Sequence, residues 1–329
     1  MSNKRYLIIA AMTAILFACS LYGSPVKASA VTAPQNPAIN TGETPITIQE
    51  EPQTSDLTLL HAETVLDSDR WIQSFTKDAN YYYFVQMTNP YQGHLRITRV
   101  KYTTPHQYTK DHMDLLGFGH GTNIDCTTYK GRTYLWTGSC VNKKSMQTTA
   151  ISCFSYIPGG VYSRKAGKTF KIRMKGRLKK AENVFPAVSQ DQKYLYVRYT
   201  YKKQQYFQKY RIYKGNSIKT GRILSKVVLP RTAGDFQGFD VYKNYIYTIE
   251  GSPTALFLST YDPHRYFQST IVRITNMKTK SKRIRIITGA KGVAFREPEG
   301  IDISKKKRIE ILFATNTLTK QRCSVYKLK

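Results

Sequence analysis

The sequence predicts an all-β chain folded as a five-bladed β-propeller and closed by pairing of its N- and C-terminal strands. Three observations predict it. After residue 57 helical periodicity is almost missing, whereas short Tyr/Ile/Val/Phe-rich runs alternate with clusters of Gly, Pro, Asn, Asp and Lys, the pattern of half-buried strands and turns. One such run recurs five times, over 81–85, 133–137, 194–198, 245–249 and 309–313, at spacings of 52, 61, 51 and 64 residues. The last unit runs out of chain before its fourth strand, and a spare strand waits before the first unit. Four strands per repeat of roughly 40 to 50 residues is the propeller signature, and ring closure leaves no open sheet edge. A two-sheet sandwich is the rival fold.

In chain order, Lys4 and Arg5 precede an uncharged apolar run over 7–21, and Ala28-Ser29-Ala30 supplies a small-x-small cleavage site. This order predicts a signal peptide over 1–30, hence a secreted protein. The run is shorter than the roughly 20 residues a membrane span needs, so no transmembrane segment is expected once the signal is cleaved. Lipid attachment at Cys19 is the alternative. Residues 31–56 hold Glu43, Glu50, Glu51 and Asp56, no Lys or Arg, and four prolines. Such a stretch cannot bury a core and reads as a flexible acidic leader. Residues 57–329 form the propeller domain.

Within it each repeated run is preceded by a short strand, at 71–75, 122–126, 184–189, 237–241 and 299–303. An alternating strand follows each, at 94–102, 148–156, 206–213, 269–276 and 322–328. Fourth strands follow in four units, at 113–117, 169–175, 223–229 and 283–287, and 57–65 (Leu-Thr-Leu-Leu-His-Ala-Glu-Thr-Val) supplies the fifth.

Formal charge is +30, and loss of Lys4, Arg5 and Lys27 with the signal leaves +27. An excess of this size draws the protein to polyanions in a salt-dependent way. For a secreted chain these are teichoic acids, anionic lipid or released nucleic acid, of which nucleic acid is the least expected. The 25 tyrosines interleaved with Lys and Arg, as over 199–206, suit stacking surfaces or ordinary half-buried strand positions. Lys305-Lys306-Lys307-Arg308 falls at a turn between two strands and reads as a solvated loop that adds to a basic face. Cys126, Cys140, Cys153 and Cys323 remain after cleavage; two disulfides, one local bridge and free thiols all stay open.

Innermost propeller strands line a central channel, so polar residues at their entrances converge on one funnel. The entrances hold His120 and Asn123, Glu182, Gln237 and Asp240, and Glu297 with Glu299. His120, Asn123, Glu182, Gln237, Asp240 and Glu299 are the candidate ligand-binding set, able to grip hydroxyls or a phosphodiester. Equally, these side chains can cap strand ends and satisfy backbone groups. One His among carboxylates and amides has no metal-ligand spacing, so neither metal nor cofactor is expected. No H-E-x-x-H, G-x-S-x-G or P-loop string occurs, which leaves catalytic residues unassigned and the enzyme question open.

The entrance motifs also carry a resemblance. Gly119-His120-Gly121-Thr122 with the stretch over 130–138, Ala181-Glu182 leading into Pro186-Ala187-Val188-Ser189, Gln237-Gly238-Phe239-Asp240, and the stretch over 297–301 resemble, in order, the helveticin J family of class III bacteriocins, over residues from about 70 to the end. The resemblance implies a protein toxin against related Gram-positive bacteria, with a propeller similar to that of staphylococcal phage receptor-binding proteins that recognise wall teichoic acid. The expectation is therefore a secreted, monomeric antibacterial protein that binds anionic cell-wall polymers such as teichoic acid. Rival readings are a hydrolase of teichoic acid phosphodiesters and a non-lethal cell-wall-binding adhesin.

Overall fold

The computed structural model describes residues 57–68, 70–104, 109–142, 144–163, 167–172, 181–202, 204–231, 235–251, 270–287, 289–290, 296–316 and 321–329. The expected signal peptide and acidic leader lie outside the described residues. Among those described, all regular structure is strand, arranged as a five-bladed propeller. The leading strand β1 (Leu57–Val65) belongs to the last blade. Blade 1 is β2 (Ile72–Lys77), β3 (Tyr81–Asn89), β4 (His94–Lys101) and β5 (His112–Leu116). Blade 2 is β6 (Ile124–Tyr129), β7 (Arg132–Val141) and β8 (Thr148–Ser155); the chain then lends β9 (Val161–Ser163) to the edge of blade 1, parallel to β5, before β10 (Lys168–Lys171) completes blade 2. Blade 3 is β11 (Glu182–Val188), β12 (Tyr194–Tyr201) and β13 (Gln204–Tyr213), with β14 (Ser217–Ile218) and β15 (Ser225–Pro230) both on β13. Blade 4 is β16 (Phe236–Tyr242), β17 (Tyr245–Glu250), β18 (Thr270–Asn276) and β19 (Lys282–Ile287). Blade 5 is β20 (Glu297–Ile303), β21 (Ile309–Asn316) and β22 (Gln321–Leu328).

The repeated runs are the second strands, and they are apolar on both faces because each blade is covered by a neighbour on either side. Five core clusters result, one between each pair of blades. Val85, Leu95 and Ile97 of blade 1 meet Ile124, Leu135 and Phe154 of blade 2. Trp136 and Ile151 meet Leu195 and Tyr210, Phe185 and Phe207 meet Phe239 and Ile246, Ile249 and Val272 meet Ile301 and Ile311, and Leu312 and Val325 meet Phe75 and Phe84. Burying one such aliphatic or aromatic side chain contributes about 1.5–3 kcal/mol. Each cluster draws on two units of the repeat, so an isolated unit has no complete core.

Ring closure follows the expected pairing. Strand β1 runs antiparallel to β22, from Leu57 opposite Leu328 to Val65 opposite Arg322, with irregularities between Leu59 and His61 and between His61 and Thr64. The edge that blade 5 would otherwise expose is thus hydrogen-bonded by the other end of the domain.

Around the axis the inner strands are stapled to one another by side chains. Asp302 of blade 5 accepts from Thr76 Oγ1 of blade 1 at 3.4 Å, and the same hydroxyl lies 3.4 Å from Asp125 Oδ1 of blade 2. Asp125 Oδ2 accepts from Val188 N of blade 3 at 2.5 Å, Gln190 Nε2 donates to Val241 O of blade 4, and Asp240 Oδ2 accepts from Ile303 N of blade 5 at 2.6 Å. These contacts form a closed circuit through all five blades. Near the axis Gly238 has φ +155°, a conformation L side chains rarely adopt, and a Cβ there would also stand 3.1 Å from Asn123 Oδ1, so the position favours glycine.

Candidate functional site

At the end where the inner strands begin, blades 4 and 5 bring two predicted residues, Gln237 and Glu299, together with their neighbour Glu297. Gln237 Nε2 donates to Glu297 Oε1 at 3.0 Å and to Gly251 O at 3.0 Å. Glu299 lies beneath, 5% exposed. Burial first, and then the charge of Glu297 and a hydrogen bond with it, push the Glu299 pKa well above the carboxylate range. Burial likewise lifts Glu297 to about 7, against the opposing hydrogen bond from Gln237. Both shifts run the same way, because a neighbouring carboxylate and loss of solvent each disfavour the ionised form. His120 is exposed to solvent. It makes no hydrogen bond among the described residues. Glu182 is held by blade 2, accepting from Asn142 Nδ2 at 2.9 Å and Ser145 Oγ at 3.4 Å.

The remaining two predicted residues are occupied by the architecture. Asn123 is buried; its Nδ2 donates to Pro186 O at 2.6 Å and Phe239 O at 3.0 Å, and its Oδ1 accepts from Phe239 N at 3.0 Å. One side chain from blade 2 thereby satisfies backbone groups of blades 3 and 4. Asp240 does not face the mouth with the others. It sits in the stapling circuit, accepting from Val241 N at 2.6 Å as well as from Ile303 N. Burial and the nearby charges of Asp125 and Asp302 raise its pKa well above the carboxylate range. Convergence at one mouth therefore holds for Gln237, Glu297 and Glu299, and the reason Asp240 departs is strand polarity: residues near the end of an inner strand emerge at the opposite end of the channel.

That opposite end carries two clefts that the entrance motifs do not announce. One, of about 630 Å³, lies at the seam between blades 5 and 1, walled by Lys77, Tyr82 and Tyr102 on one side and by Lys305, Lys306 and Arg308 on the other. Its floor is Glu310, fully buried, which pairs with Lys77 Nζ at 2.5 Å and Arg308 Nε at 2.7 Å and accepts from Tyr82 Oη at 3.2 Å. The second, of about 600 Å³, lies between blades 3 and 4, where Tyr194, Tyr196, Lys209, Tyr242 and Lys243 line it together with the same Lys305. The charge run over 305–308 was the sequence signal for this face. Lys77, Tyr82 and Tyr102 read only as strand and turn residues, because pairing of distant blades is what adds them to it.

Cys126, Cys140, Cys153 and Cys323 are all free thiols. Among the described residues no group of three or more His, Cys, Asp or Glu is placed to hold a metal ion.

No family model matches the chain, and no curated protein is significantly similar to it in sequence. Among solved structures it is similar to the tail fiber of Staphylococcus aureus phage P68, with TM-score 0.59 and 15% identity over 82% of this chain and 52% of that one, so it spans about half the length of the fiber. It also matches a thermostable family-43 glycoside hydrolase (TM-score 0.41, 12% identity, 78% and 89% of the two chains) and a Bombyx mori GH32 beta-fructofuranosidase (TM-score 0.41, 8% identity, 83% and 62%). At these identities the likeness is one of fold. The chain is a five-bladed β-propeller whose fold is shared with a phage tail fiber.

Proposed function

We propose that this is a secreted, helveticin-like antibacterial protein whose propeller docks on anionic cell-wall polymers, such as teichoic acid, of Gram-positive bacteria. The observation that carries the reading is where the charges go. The chain has a formal charge of +30, and among the described residues several of its acidic groups are already engaged by other groups of the fold. Asp67 and Asp114 are paired with Arg96, Asp111 with Arg99, Glu250 with Arg273 and Glu310 with Lys77. Asp125 and Asp240 accept from backbone N–H groups. The excess of surface cations acts on the surroundings as a net positive field, which raises encounter rates with polyanions. The fold shared with a tail fiber of a Staphylococcus aureus phage supports a binding role at a bacterial surface.

The test is retention of residues 31–329 on purified Gram-positive walls, intact or stripped of teichoic acid, with phosphate monomers in the supernatant measured in parallel. Retention on intact walls, lost on stripping, is the expected result; equal retention on both would remove the reading. A hydrolytic reading rests on one observation, the Glu297 carboxyl held near pKa 7 beside buried Glu299, a range suited to proton transfer at neutral pH. Release of monomers is its measure.

A further inference from the structure

Resting on the polyanion reading above, we infer that the ligand track is not the mouth with Gln237 and Glu299 but the opposite face, where the two clefts joined by Lys305 take successive phosphates of a polyol- or sugar-phosphate chain. Lys305 lines both clefts. It and Lys306 are exposed and have no acidic partner among the described residues. Their neighbours differ: Lys77 and Arg308 are tied to buried Glu310, so they hold the cleft's shape while Lys305 and Lys306 offer unspent charge. In the second cleft Lys209 Nζ lies 3.9 Å from the Tyr194 ring centroid, and Lys243 Nζ lies 5.5 Å from that of Tyr242. A linear anion crossing the face thus meets cations in one cleft, at Lys305 and in the other, where Asp191 is the acidic residue among those lining it.

The aromatic groups select the class of anion. Tyr82 is packed edge-on against Tyr102, with centroids 4.6 Å apart at 69°, and against His61, at 4.9 Å and 77°. It also stacks on Phe84 at 5.6 Å and 26°. The Tyr194 face is covered by Lys209. Single-stranded nucleic acid is held by bases laid on open aromatic faces, and these rings have little face to give. The Tyr82 and Tyr102 hydroxyls are already bonded to Glu310 and to Asp78 O, so what the face offers a ligand is chiefly its exposed cations, which suit phosphates rather than stacked bases.

The test uses purified poly(glycerol phosphate) as probe and two charge-reversal pairs of equal net change, with affinity measured at one ionic strength. Lys305→Glu with Lys306→Glu alters the shared face. Lys144→Glu with Lys202→Glu alters exposed turns at the mouth end, between β7 and β8 and between β12 and β13. The first pair is expected to weaken binding about tenfold more than the second. Equal losses would overturn the track while leaving general attraction to polyanions intact, and a larger loss from the second pair would return the site to the mouth. No binding by the unmodified protein would overturn the polyanion reading itself. Tighter binding of a single-stranded DNA oligomer than of the polymer would overturn the ligand class. Should the first pair fail to fold, protection of Lys305 and Lys306 from acetylation by bound polymer, read on the unmodified protein by mass spectrometry, decides the same question: protection supports the track and full reactivity overturns it.

Discussion

Asn123 and Asp240 show how a polar side chain inside a propeller divides its labour. Asn123 satisfies three backbone groups on two other blades, and a buried group that loses its partner costs about 1–3 kcal/mol. Asn123→Ala is therefore expected to lower the melting temperature while the folded fraction still binds walls. His120→Ala should change stability by no more than about 0.5 kcal/mol, as exposed positions do. Thermal unfolding of the two variants checks both, and an unaltered melting temperature for Asn123→Ala would remove its clamping role. The Glu297–Glu299 couple makes a prediction in pH. Glu297 is raised from its ordinary 4.5 to about 7, so its contribution is fully present below its unfolded pKa and is lost as pH rises through about 7. Glu299 shifts in the same direction. Glu297→Gln should flatten the fall in stability between about pH 5 and about pH 8, measured as the change in urea midpoint. An undiminished slope would place the titration elsewhere. Burial pushes the thiols of Cys126, Cys153 and Cys323 upward, whereas Cys140 is only half-buried. In the folded protein a thiol reagent should therefore label Cys140 first, and all four only after unfolding.

Among the elements, β1 has a role out of proportion to its length. It is the outer strand of a blade whose other three strands come from the far end of the chain, and its pairing with β22 is what makes the ring continuous. Deleting residues 57–65 leaves β22 as an open edge, which invites pairing with another molecule. The truncated protein is expected to melt at lower temperature and to associate in size-exclusion chromatography. A monomer of unchanged stability would show that the other four blade contacts suffice. The hairpin between β20 and β21 illustrates the opposite relation of length to consequence. Its turn, 304–308, is four exposed cations and a serine, yet it projects between two clefts because β20 sits at the axis and points its turn toward the end where both clefts open.

For the whole molecule the controlling quantity is charge. Exposed charges separated by more than about 8 Å are largely screened at physiological ionic strength, so attraction of this protein to walls should fall steeply as salt is added. Binding insensitive to salt would mean that short-range contacts, not the field of the protein, hold it there. The inward pairing of the acids makes the fold and the field depend on each other. Opening the blade 5 to blade 1 seam would free Asp302 and Glu310 from Lys77 and let carboxylates compete for the cations that line the cleft.

By itself the sequence determined the class, the blade count and the closure. Those depend on local periodicity and on the burial of second strands from both sides, and both leave their mark residue by residue, as over 81–85 and 245–249. It also brought Gln237, Glu297 and Glu299 to notice as polar residues at strand entrances. Only the tertiary structure decided that Asn123 and Asp240 are spent on backbone groups of other blades, that Glu299 is buried beside Glu297, and that Lys77 and Tyr82 face Lys306 and Arg308 across a cleft. These facts join residues as far apart as 228 positions, in the case of Tyr82 and Glu310. A linear pattern records which face of a strand is buried, but the partner across a ring is set by how the blades close around the axis.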